Sequence, residues 1–334
     1  MDVSDCARPK RERSPSNVED AATLSACAKK HTISNSTDDR SSPMLLTMYH
    51  SKRVDFALLA CADEEFRKYV TYSTKTKLPK VDFSDANTVY ELTRATLFHH
   101  YDISWSQPIS NLCPPIPQRR NYLDWISSLP LNPKTNIIRG IDIGCGASCI
   151  YPLLGYSLYK WEFVATEIDD ESIKNAQLNI DRNDLISKIC IRKPSLFVDS
   201  EGILVHHILE GIVFEQESFQ FSMCNPPFFD LDDNAHIRIR GYTIPATQSE
   251  RSFSGGEFEF VRRMMNDSIK LRTQVTWYTT MLGRKINLSP LKAEAFRSGA
   301  TRVLSTEFHQ GKTSRWGLAW SFDTSVIPTK FEIK

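Results

Sequence analysis

Two hydrophobic periods alternate along the chain from about residue 134 onward. Short apolar runs predict strands, and stretches with apolar residues three and four apart predict helices. Because strands that alternate with helices form parallel sheets, this pattern predicts an α/β fold with a doubly wound, mostly parallel sheet. The predicted strands are residues 137–143, 163–166, 185–191, 219–224 and 275–282, and the predicted helices are residues 149–156, 170–183, 257–271 and 290–297.

The two ends of the chain follow different patterns. The last apolar runs, residues 303–308 and 316–322, lie close enough to form an antiparallel hairpin at the sheet edge. Residues 1–42 lack Phe, Trp and Tyr and are rich in polar residues, which predicts a disordered tail. We therefore divide the chain into a tail (1–42), a helical subdomain (43–133), an α/β domain (134–326) and a C-terminal tail (327–334).

Composition narrows the class of protein. The chain has 334 residues, a formal net charge of +1 and eight cysteines, with no Cys-x-x-Cys pair and no Cys/His cluster at zinc-finger spacing. This usage indicates reduced thiols in an intracellular protein and no metal site. The start of the chain has no apolar signal region and no later run approaches a membrane-spanning length, so we expect neither secretion nor membrane insertion.

The motif Asn225-Pro226-Pro227-Phe228-Phe229 directly follows the predicted strand 219–224. The Asn225 carboxamide oxygen and the Pro226 carbonyl can accept the two hydrogens of a planar amine, and a phenylalanine ring can stack on the base that carries it. The prolines fix their own φ angles and hold Asn225 out of the helical region. On the motif alone, a strand that ends in a Pro-Pro turn with two core phenylalanines is an equal alternative.

A second constellation indicates an adenosyl cofactor. Gly144 and Gly146 lie between a predicted strand and helix, where an open parallel sheet has its ligand crevice, and Glu167 ends the next strand, where its carboxylate can accept both ribose hydroxyls. The dinucleotide motif Gly-x-Gly-x-x-Gly is incomplete and no Walker lysine follows it. S-Adenosylmethionine is therefore favoured over a dinucleotide, with a helix-capping role as the alternative for Glu167.

These residues carry a family resemblance. Residues 140–144, 146–155, 165–167 and 224–229 resemble the RNA adenine-N6 methyltransferases of the methyltransferase-like protein sixteen family. The resemblance continues through residues 255–261 and covers about residues 49–322. It implies a class I (Rossmann-like) S-adenosylmethionine-dependent methyltransferase that acts on U6 small nuclear RNA, while the bacterial relatives modify large-subunit ribosomal RNA.

The resemblance also implies the residues of a site. The family's cofactor contacts fall on Arg119, Gly144, Ser148, Glu167 and Asn225, and near Ser195, where the match is looser. The catalytic platform is Asn225, Pro226, Pro227, Phe228 and Phe229. Positioning and electrostatics supply the catalysis, so no general base is required and we expect His206, His207, His99 and His100 at the surface or at helix ends.

Charge is concentrated in one segment. Residues 236–315 contain fourteen Lys or Arg and six Asp or Glu, an excess of +8 within a chain of +1. Such an excess is typical of a surface that binds a phosphate backbone, although solvated helix faces account for part of it. The candidates for RNA contact are Arg238, Arg240 and Arg251 in a long loop, Lys312 and Arg315 in the last hairpin turn, and Lys52, Arg53, Arg67 and Lys68 in the N-terminal part that binds RNA in the family.

These observations predict an RNA adenine-N6 methyltransferase with U6 small nuclear RNA as substrate. The alternatives are another structured RNA such as large-subunit ribosomal RNA, a protein glutamine N5-methyltransferase, which also uses an Asn-Pro-Pro turn, and an RNA-binding module without turnover. We expect the protein to be a monomer that binds RNA and that binds neither a membrane nor a metal. We expect it in the nucleus, with the cytoplasm as a further location. Residues 10–13 are a candidate import signal.

Overall fold

A computed structural model describes residues 54–131, 136–198, 204–227, 229–230, 238–239, 242–243, 252–310 and 313–326 of the chain. The predicted tails, residues 1–42 and 327–334, and the candidate import signal lie outside these residues. Within the described part, no helix is both long enough and apolar enough to cross a membrane.

Residues 54–131 contain four helices and one hairpin. Asp55 and Asp63 cap the first two helices by accepting backbone N–H groups at 2.9–3.1 Å. A small core of Leu59, Ala60, Phe66 and Ala95 holds the first three helices and the hairpin together. The hairpin was not predicted. The elements are α1 (Phe56–Ala62), α2 (Glu64–Arg67), β1 (Val70–Tyr72), β2 (Pro79–Val81), α3 (Ala86–Tyr101) and α4 (Ile116–Ser128).

Helix α4 packs into the core of the sheet. Its residues Tyr122, Leu123, Trp125 and Ile126 are buried in the same hydrophobic cluster as residues of the strands and helices that follow. Phe308 from the sheet edge contacts the rings of Tyr122 and Trp125 at centroid distances of 6.0 and 5.8 Å. This packing brings residues of α4 to the sheet although they precede residue 133. The proposed boundary there stays a prediction.

A seven-stranded sheet forms the centre of the α/β part. Its order is β14-β15-β13-β8-β3-β4-β5, with the last two strands of the chain antiparallel and the other neighbours parallel. Its strands are β3 (Arg139–Ile143), β4 (Glu162–Thr166), β5 (Ile189–Arg192), β8 (Phe219–Cys224), β13 (Val275–Leu282), β14 (Arg302–Gln310) and β15 (Thr313–Ser321).

Helices connect these strands. Between β3 and β4 lies α5 (Ile150–Tyr159), and between β4 and β5 lies α6 (Asp170–Arg182), which Asp169 caps through Ser172 N at 2.8 Å. Helices α7 (Gly256–Leu271) and α8 (Leu288–Arg297) follow β8 and β13, and short 3-10 turns, Arg272–Gln274 and Lys285–Asn287, precede β13 and α8. The doubly wound, mostly parallel sheet with an antiparallel edge hairpin is thus confirmed.

The connection between β5 and β8 and the segment after β8 contain short strands that were not predicted. A two-stranded hairpin joins β6 (Leu196–Val198) to β7 (Leu204–His206). Strand β9 (Phe229–Asp230) pairs in parallel with β12 (Ser252–Phe253), and β10 (Arg238–Ile239) pairs with β11 (Tyr242–Thr243). The pairing of β9 with β12 places residues 252–253 beside residues 229–230, which follow the Asn-Pro-Pro motif closely in sequence.

Candidate active site

Three predicted site residues follow three neighbouring strands. Strand β3 lies between β4 and β8, and Ile143 is in register with both Thr166 and Cys224. The next residues along these strands are Gly144, Glu167 and Asn225. Since the chain leaves β3 toward β4 on one side and β8 lies on the other, this edge is the switch point where open α/β sheets bind ligands.

The glycine turn after β3 has a backbone that favours glycine. Gly144 and Gly146 have φ angles of +72° and +63°, in the left-handed region. The Gly144 amide donates to Thr166 Oγ1 at 3.2 Å, and the Cys145 amide donates to the Thr166 carbonyl at 2.8 Å. These bonds hold the turn against the end of β4, with its backbone lining a cavity.

Glu167 binds backbone groups on both sides of this cavity. Its carboxylate accepts from Gly146 N at 2.9 Å, from Ile168 N at 2.8 Å and from Asp169 N at 3.0 Å. Burial raises the pKa of the Glu167 carboxyl, while these three amides oppose the shift. A carboxylate has about four lone-pair positions. Three accepted bonds leave room for one ligand hydroxyl and not for the two ribose hydroxyls that we predicted.

Arg119 and Asp142 are buried polar residues with unused bonding capacity. Arg119 is 7% exposed; its Nη1 donates to Tyr151 Oη at 3.0 Å, and the guanidinium lies over the Tyr151 ring. No described residue bonds the Arg119 Nε or either carboxylate oxygen of Asp142, which is 1% exposed. Burial raises the pKa of Asp142 to about 8, with Arg119 opposing and Glu167 adding to the shift. Buried groups of this kind need a partner, and a ligand can supply it.

The Asn225 carboxamide is the acceptor that the motif predicts. Its Oδ1 is buried and accepts no hydrogen bond from any residue that the structure describes. Just before it, the Cys224 amide donates to Tyr122 Oη at 3.4 Å, which ties the end of β8 to α4. Pro226 is buried and Pro227 half-buried. The end of β8 therefore presents an acceptor that has no partner among the described residues.

A cavity of about 320 Å³ connects these residues, a size typical of small-molecule sites. Arg119, Gly144, Ser148, Glu167 and Asn225 all line it, as do Pro226 and Pro227. Ser195 is exposed and does not line this cavity, although its neighbour Pro194 does. The residues that the sequence did not indicate are mainly His206, His207, Ile208, Phe253, Phe260 and Arg263.

The structure places the two pairs of histidines in different environments. His99 and His100 lie in the last turn of α3, as predicted. His206 and His207 are half-buried and line the cavity, so their assignment to the surface or a helix end is wrong. The β6–β7 hairpin turns them inward: His206 Nδ1 lies 3.0 Å from the Pro194 carbonyl, and the His207 ring stacks on Phe197 at 4.1 Å.

The candidate RNA contacts are described only in part. Phe228, Arg240, Arg251, Lys312, Lys52 and Arg53 lie outside the described residues, while Phe229 belongs to β9 and Arg238 to β10. Arg67 donates to the Ala60 carbonyl at 2.8 Å, and Lys68 pairs with Glu65 at 2.7 Å on the surface.

Arg315 is placed differently from the prediction. It lies within β15, opposite Phe308, because that strand begins at Thr313, three residues before the apolar run from which we predicted it. The side chain is half-buried, and burial lowers the pKa of Arg315. Arg119 adds to this shift and Glu257 opposes it. Arg315 is thus a half-buried residue of β15 and not a residue of the hairpin turn.

One group of potential metal ligands lies beside the cavity, within the described part of the chain. Ligand atoms of His207, Glu210 and Asp267 lie within 4.8 Å of one another. Asp267 Oδ2 already accepts the backbone amides of residues 208–210 at 2.9–3.2 Å, and Glu210 forms an ion pair with Lys270. These bonds give both carboxylates structural roles, and the expectation of no metal stays a prediction.

Comparisons with known proteins agree with this geometry. The family model Methyltransf_10, described as RNA methyltransferase, matches residues 39–324. "RNA N(6)-adenosine-methyltransferase mettl16" of Danio rerio is 39% identical over 84% of this chain and 59% of its own length. "U6 small nuclear RNA (adenine-(43)-N(6))-methyltransferase" of Dictyostelium discoideum is 36% identical over 82% and 54%. "Ribosomal RNA large subunit methyltransferase F" of Flavobacterium johnsoniae is 34% identical over 86% and 95%.

Solved structures give the same result. The human Mettl16 catalytic domain in complex with MAT2A 3'UTR hairpin 1 has a TM-score of 0.73 and 35% identity, over 87% of this chain and 100% of that one. The N-terminal domain of human METTL16 in complex with SAH has a TM-score of 0.67 and 35% identity, over 84% and 98%. This chain spans about half the length of several curated relatives, 52% for the Xenopus laevis protein. These matches confirm the family resemblance.

Proposed function

The chain belongs to the Methyltransf_10 family of RNA methyltransferases, and from this premise we propose that it transfers a methyl group from S-adenosylmethionine to the N6 amino group of an adenosine in RNA. We propose U6 small nuclear RNA as the substrate. The relatives that carry this substrate in their names, from Dictyostelium discoideum and Caenorhabditis elegans, are 36% and 34% identical to this chain.

One observation carries the proposal. The Asn225 Oδ1 is a buried acceptor without a partner among the described residues, in the same cavity as the glycine turn. Leaving such an atom unbonded costs about 1–3 kcal/mol, so the site is built for a ligand that donates hydrogens. An adenine amino group donates two, and the Pro226 carbonyl is the natural second acceptor.

Other residues that line the cavity fit the cofactor. The methionine end of S-adenosylmethionine carries a carboxylate, which matches Arg119, a lining residue whose buried Nε has no partner among the described residues. The remaining lone pair of Glu167 suits a ribose hydroxyl, and the bare backbone at Gly144 permits close approach. When bound, the cofactor supplies an electrophilic methyl group. Support also comes from the solved relative in complex with SAH.

The protein contributes orientation more than acid–base chemistry. The adenine amine is a weak nucleophile because its lone pair is delocalised into the ring. Hydrogen bonds to two fixed acceptors, Asn225 Oδ1 and the Pro226 carbonyl, favour a pyramidal nitrogen whose lone pair is less delocalised. They also orient that nitrogen toward the methyl donor. Tyr122 holds these acceptors in place through the Cys224 amide.

Transfer of labelled methyl groups to U6 small nuclear RNA tests the proposal. Label should enter one adenosine, and Asn225→Ala should lower the rate at least about 100-fold, because it removes an acceptor needed in the transition state. Asn175→Ala is the matched control, since Asn175 bonds only the Glu171 carbonyl of its own helix. Equal rates for the Asn225 variant and the wild type would refute the role of the motif, and label in protein instead of RNA would refute the substrate class.

A second substrate has its own support. A relative from Flavobacterium johnsoniae that is named "Ribosomal RNA large subunit methyltransferase F" is 34% identical to this chain. Competition between equal amounts of U6 RNA and a large-subunit ribosomal RNA fragment for labelled methyl groups distinguishes the two substrates. Preferential labelling of the ribosomal fragment would favour the second.

We further propose that residues 43–133 contribute to RNA binding and that the protein works as a monomer in the nucleus. The nuclear RNA in the names of other relatives supports the last of these. Deletion of residues 1–42 followed by fluorescence localisation tests whether the tail directs nuclear import.

A further inference from the structure

Phe253 lines the same cavity as Asn225. Its strand β12 pairs in parallel with β9, with Ser252 opposite Phe229 and Phe253 opposite Asp230. Strand β9 begins one residue after Phe228, so the Asn-Pro-Pro motif and Phe253 are connected through a shared strand pair. No comparable pairing ties Phe253 to the glycine turn or to Glu167 within the described strands.

Two residues of α7 hold the Phe253 ring in one orientation. The Phe260 ring meets it edge to face, with centroids 5.0 Å apart and planes at 76°. The Arg263 guanidinium lies over it at 5.4 Å from the centroid. Phe260 and Arg263 are three residues apart on one helix face, and all three side chains line the cavity. The ring is therefore ordered before any ligand arrives.

The exposure of Phe253 distinguishes it from a core residue. The Phe253 side chain is half-buried, whereas the core phenylalanines Phe219, Phe221 and Phe308 are 0–2% exposed. An aromatic ring fixed by its neighbours but open to a cavity offers a stacking surface at low entropic cost. Asn225 and Pro226, which carry the amine acceptors, line the same cavity.

We infer that Phe253, held by Phe260 and Arg263, is a substrate-positioning residue whose ring stacks on the target adenine while Asn225 and Pro226 hold its amino group. This inference rests on the proposed function. An extruded base loses its stacking partners in RNA, and an aromatic side chain replaces them. Phe253 thereby contributes to base selection by stacking on the whole purine ring, and Asn225 contributes by binding the amino group of the adenine.

A double-mutant cycle tests the contact. The adenosine methylated by the wild-type chain is mapped first, and RNA is then made with an abasic site at that position. Affinities of wild type and Phe253→Leu for intact and abasic U6 RNA are measured by fluorescence anisotropy. Phe253→Leu should weaken binding of intact RNA at least about fivefold and leave binding of abasic RNA within about twofold, because the lost contact is with the base.

Kinetics and matched variants complete the test. For Phe253→Leu, KM for RNA should rise in step with the lost affinity while kcat and the affinity for S-adenosylmethionine stay within about twofold. Phe253→Tyr keeps the ring and should behave as wild type. Phe214→Leu is the control, since Phe214 is an exposed ring beneath the Arg192 guanidinium at 4.4 Å and does not line the cavity.

The outcomes separate the inference from the function on which it rests. Equal weakening on intact and abasic RNA, or no weakening on either, with normal methylation by the wild type would overturn the stacking role and leave the proposed function intact. If Phe253→Leu melts at a much lower temperature than wild type, Phe253→Tyr and Phe253→Met carry the same cycle, and loss of binding by the tyrosine variant would overturn the inference. Absence of RNA methylation by the wild-type chain would overturn both.

Discussion

The hydroxyl group of Tyr122 accepts a hydrogen bond from the Cys224 amide at 3.4 Å, one residue before Asn225. Thr279 Oγ1 donates to the Ser222 carbonyl at 2.9 Å, which directs the Tyr122 O–H toward Thr279 Oγ1 at 2.8 Å. A fully buried tyrosine of α4 thus fixes the end of β8 through a chain of three bonds. The position of the Asn225 acceptor depends on a residue about a hundred positions away in sequence.

Tyr122→Phe should lower kcat about tenfold or more and change KM for S-adenosylmethionine little. The substitution keeps the ring in the core but removes the oxygen that holds the Cys224 amide, so Asn225 loses alignment while the cofactor end of the cavity is unchanged. Steady-state kinetics with U6 RNA measure both constants. Tyr159→Phe is the control: that hydroxyl bonds Asp124, away from the cavity. Equal kcat values for the Tyr122 variant and the wild type would contradict the positioning role.

Arg119→Ala should weaken S-adenosylmethionine binding about 10- to 100-fold, since a charge-assisted hydrogen bond contributes about 1.5–3 kcal/mol. Calorimetric titration with the cofactor measures the change. The neighbouring Arg120 is the matched control, because it is 39% exposed, pairs with Asp124 and does not line the cavity. Comparable losses for the two variants would indicate a general charge effect instead of a specific contact.

The sequence predicted the sheet well where each strand is a short apolar run with clear ends. Strands β8 and β13 begin and end where the apolar pattern does. The start of strand β5 was predicted four residues too early, because Leu185 is a buried apolar residue of a turn and not of the strand. The Leu185 carbonyl accepts hydrogen bonds from Lys188 N and Ile189 N at 2.9 Å. An apolar residue that packs at a turn has the same local pattern as one in a strand.

From hydrophobic periodicity alone, the candidate site was predictable only where it coincides with strand ends, whereas Arg119 and Ser148 were predicted from the family resemblance. Gly144, Glu167 and Asn225 follow predicted strands, and parallel topology places such residues together. Tyr122 and Phe253 reach the site through a helix face and a two-residue strand pair. Those contacts join residues far apart in sequence, which hydrophobic periodicity within one segment cannot indicate.

Asp142→Asn should stabilise the cofactor-free protein increasingly as pH rises from about 4 to 8. Burial raises the pKa of the Asp142 carboxyl from 3.8 to about 8 in the folded protein. The folded state therefore binds a proton that the unfolded state has released in this range, and wild-type stability falls as pH increases. We therefore compare the melting temperature of the variant minus that of wild type at two pH values. This difference should be at least about 3 °C larger at pH 8.5 than at pH 5.

Asp170→Asn is the control for this scan. Asp170 is exposed, and its bond to Lys193 at 2.6 Å lowers the pKa of its carboxyl, so the group is ionised throughout the interval. The melting temperature difference between this variant and wild type should not change between pH 5 and 8.5. A difference for Asp142→Asn that is equally independent of pH would refute the raised pKa.

Glu217→Gln should have the opposite pH dependence. The Glu217 carboxylate binds Arg192 at 2.7 and 2.8 Å, accepts the Phe214 amide at 3.2 Å and lies 3.4 Å from Arg139. Its bonds with Arg192 lower the pKa of Glu217 from 4.5 to about 2, against the effect of burial. Because the folded pKa lies below the unfolded one, the stabilisation is complete above pH 4.5 and is lost as pH falls toward 2. The shift corresponds to about 3 kcal/mol as an upper figure.

Urea unfolding at pH 7 and at pH 3 checks this prediction. The free energy of unfolding should fall by about 1–3 kcal/mol in Glu217→Gln at pH 7, and the difference from wild type should shrink at pH 3 as Glu217 begins to accept a proton in the unfolded state. Glu65→Gln removes the exposed pair with Lys68, whose side chains are 63% and 60% exposed, and should change stability by less than about 1 kcal/mol at both pH values. A loss for Glu217→Gln as small as that for Glu65→Gln would show that the Arg192 pair adds no net stability.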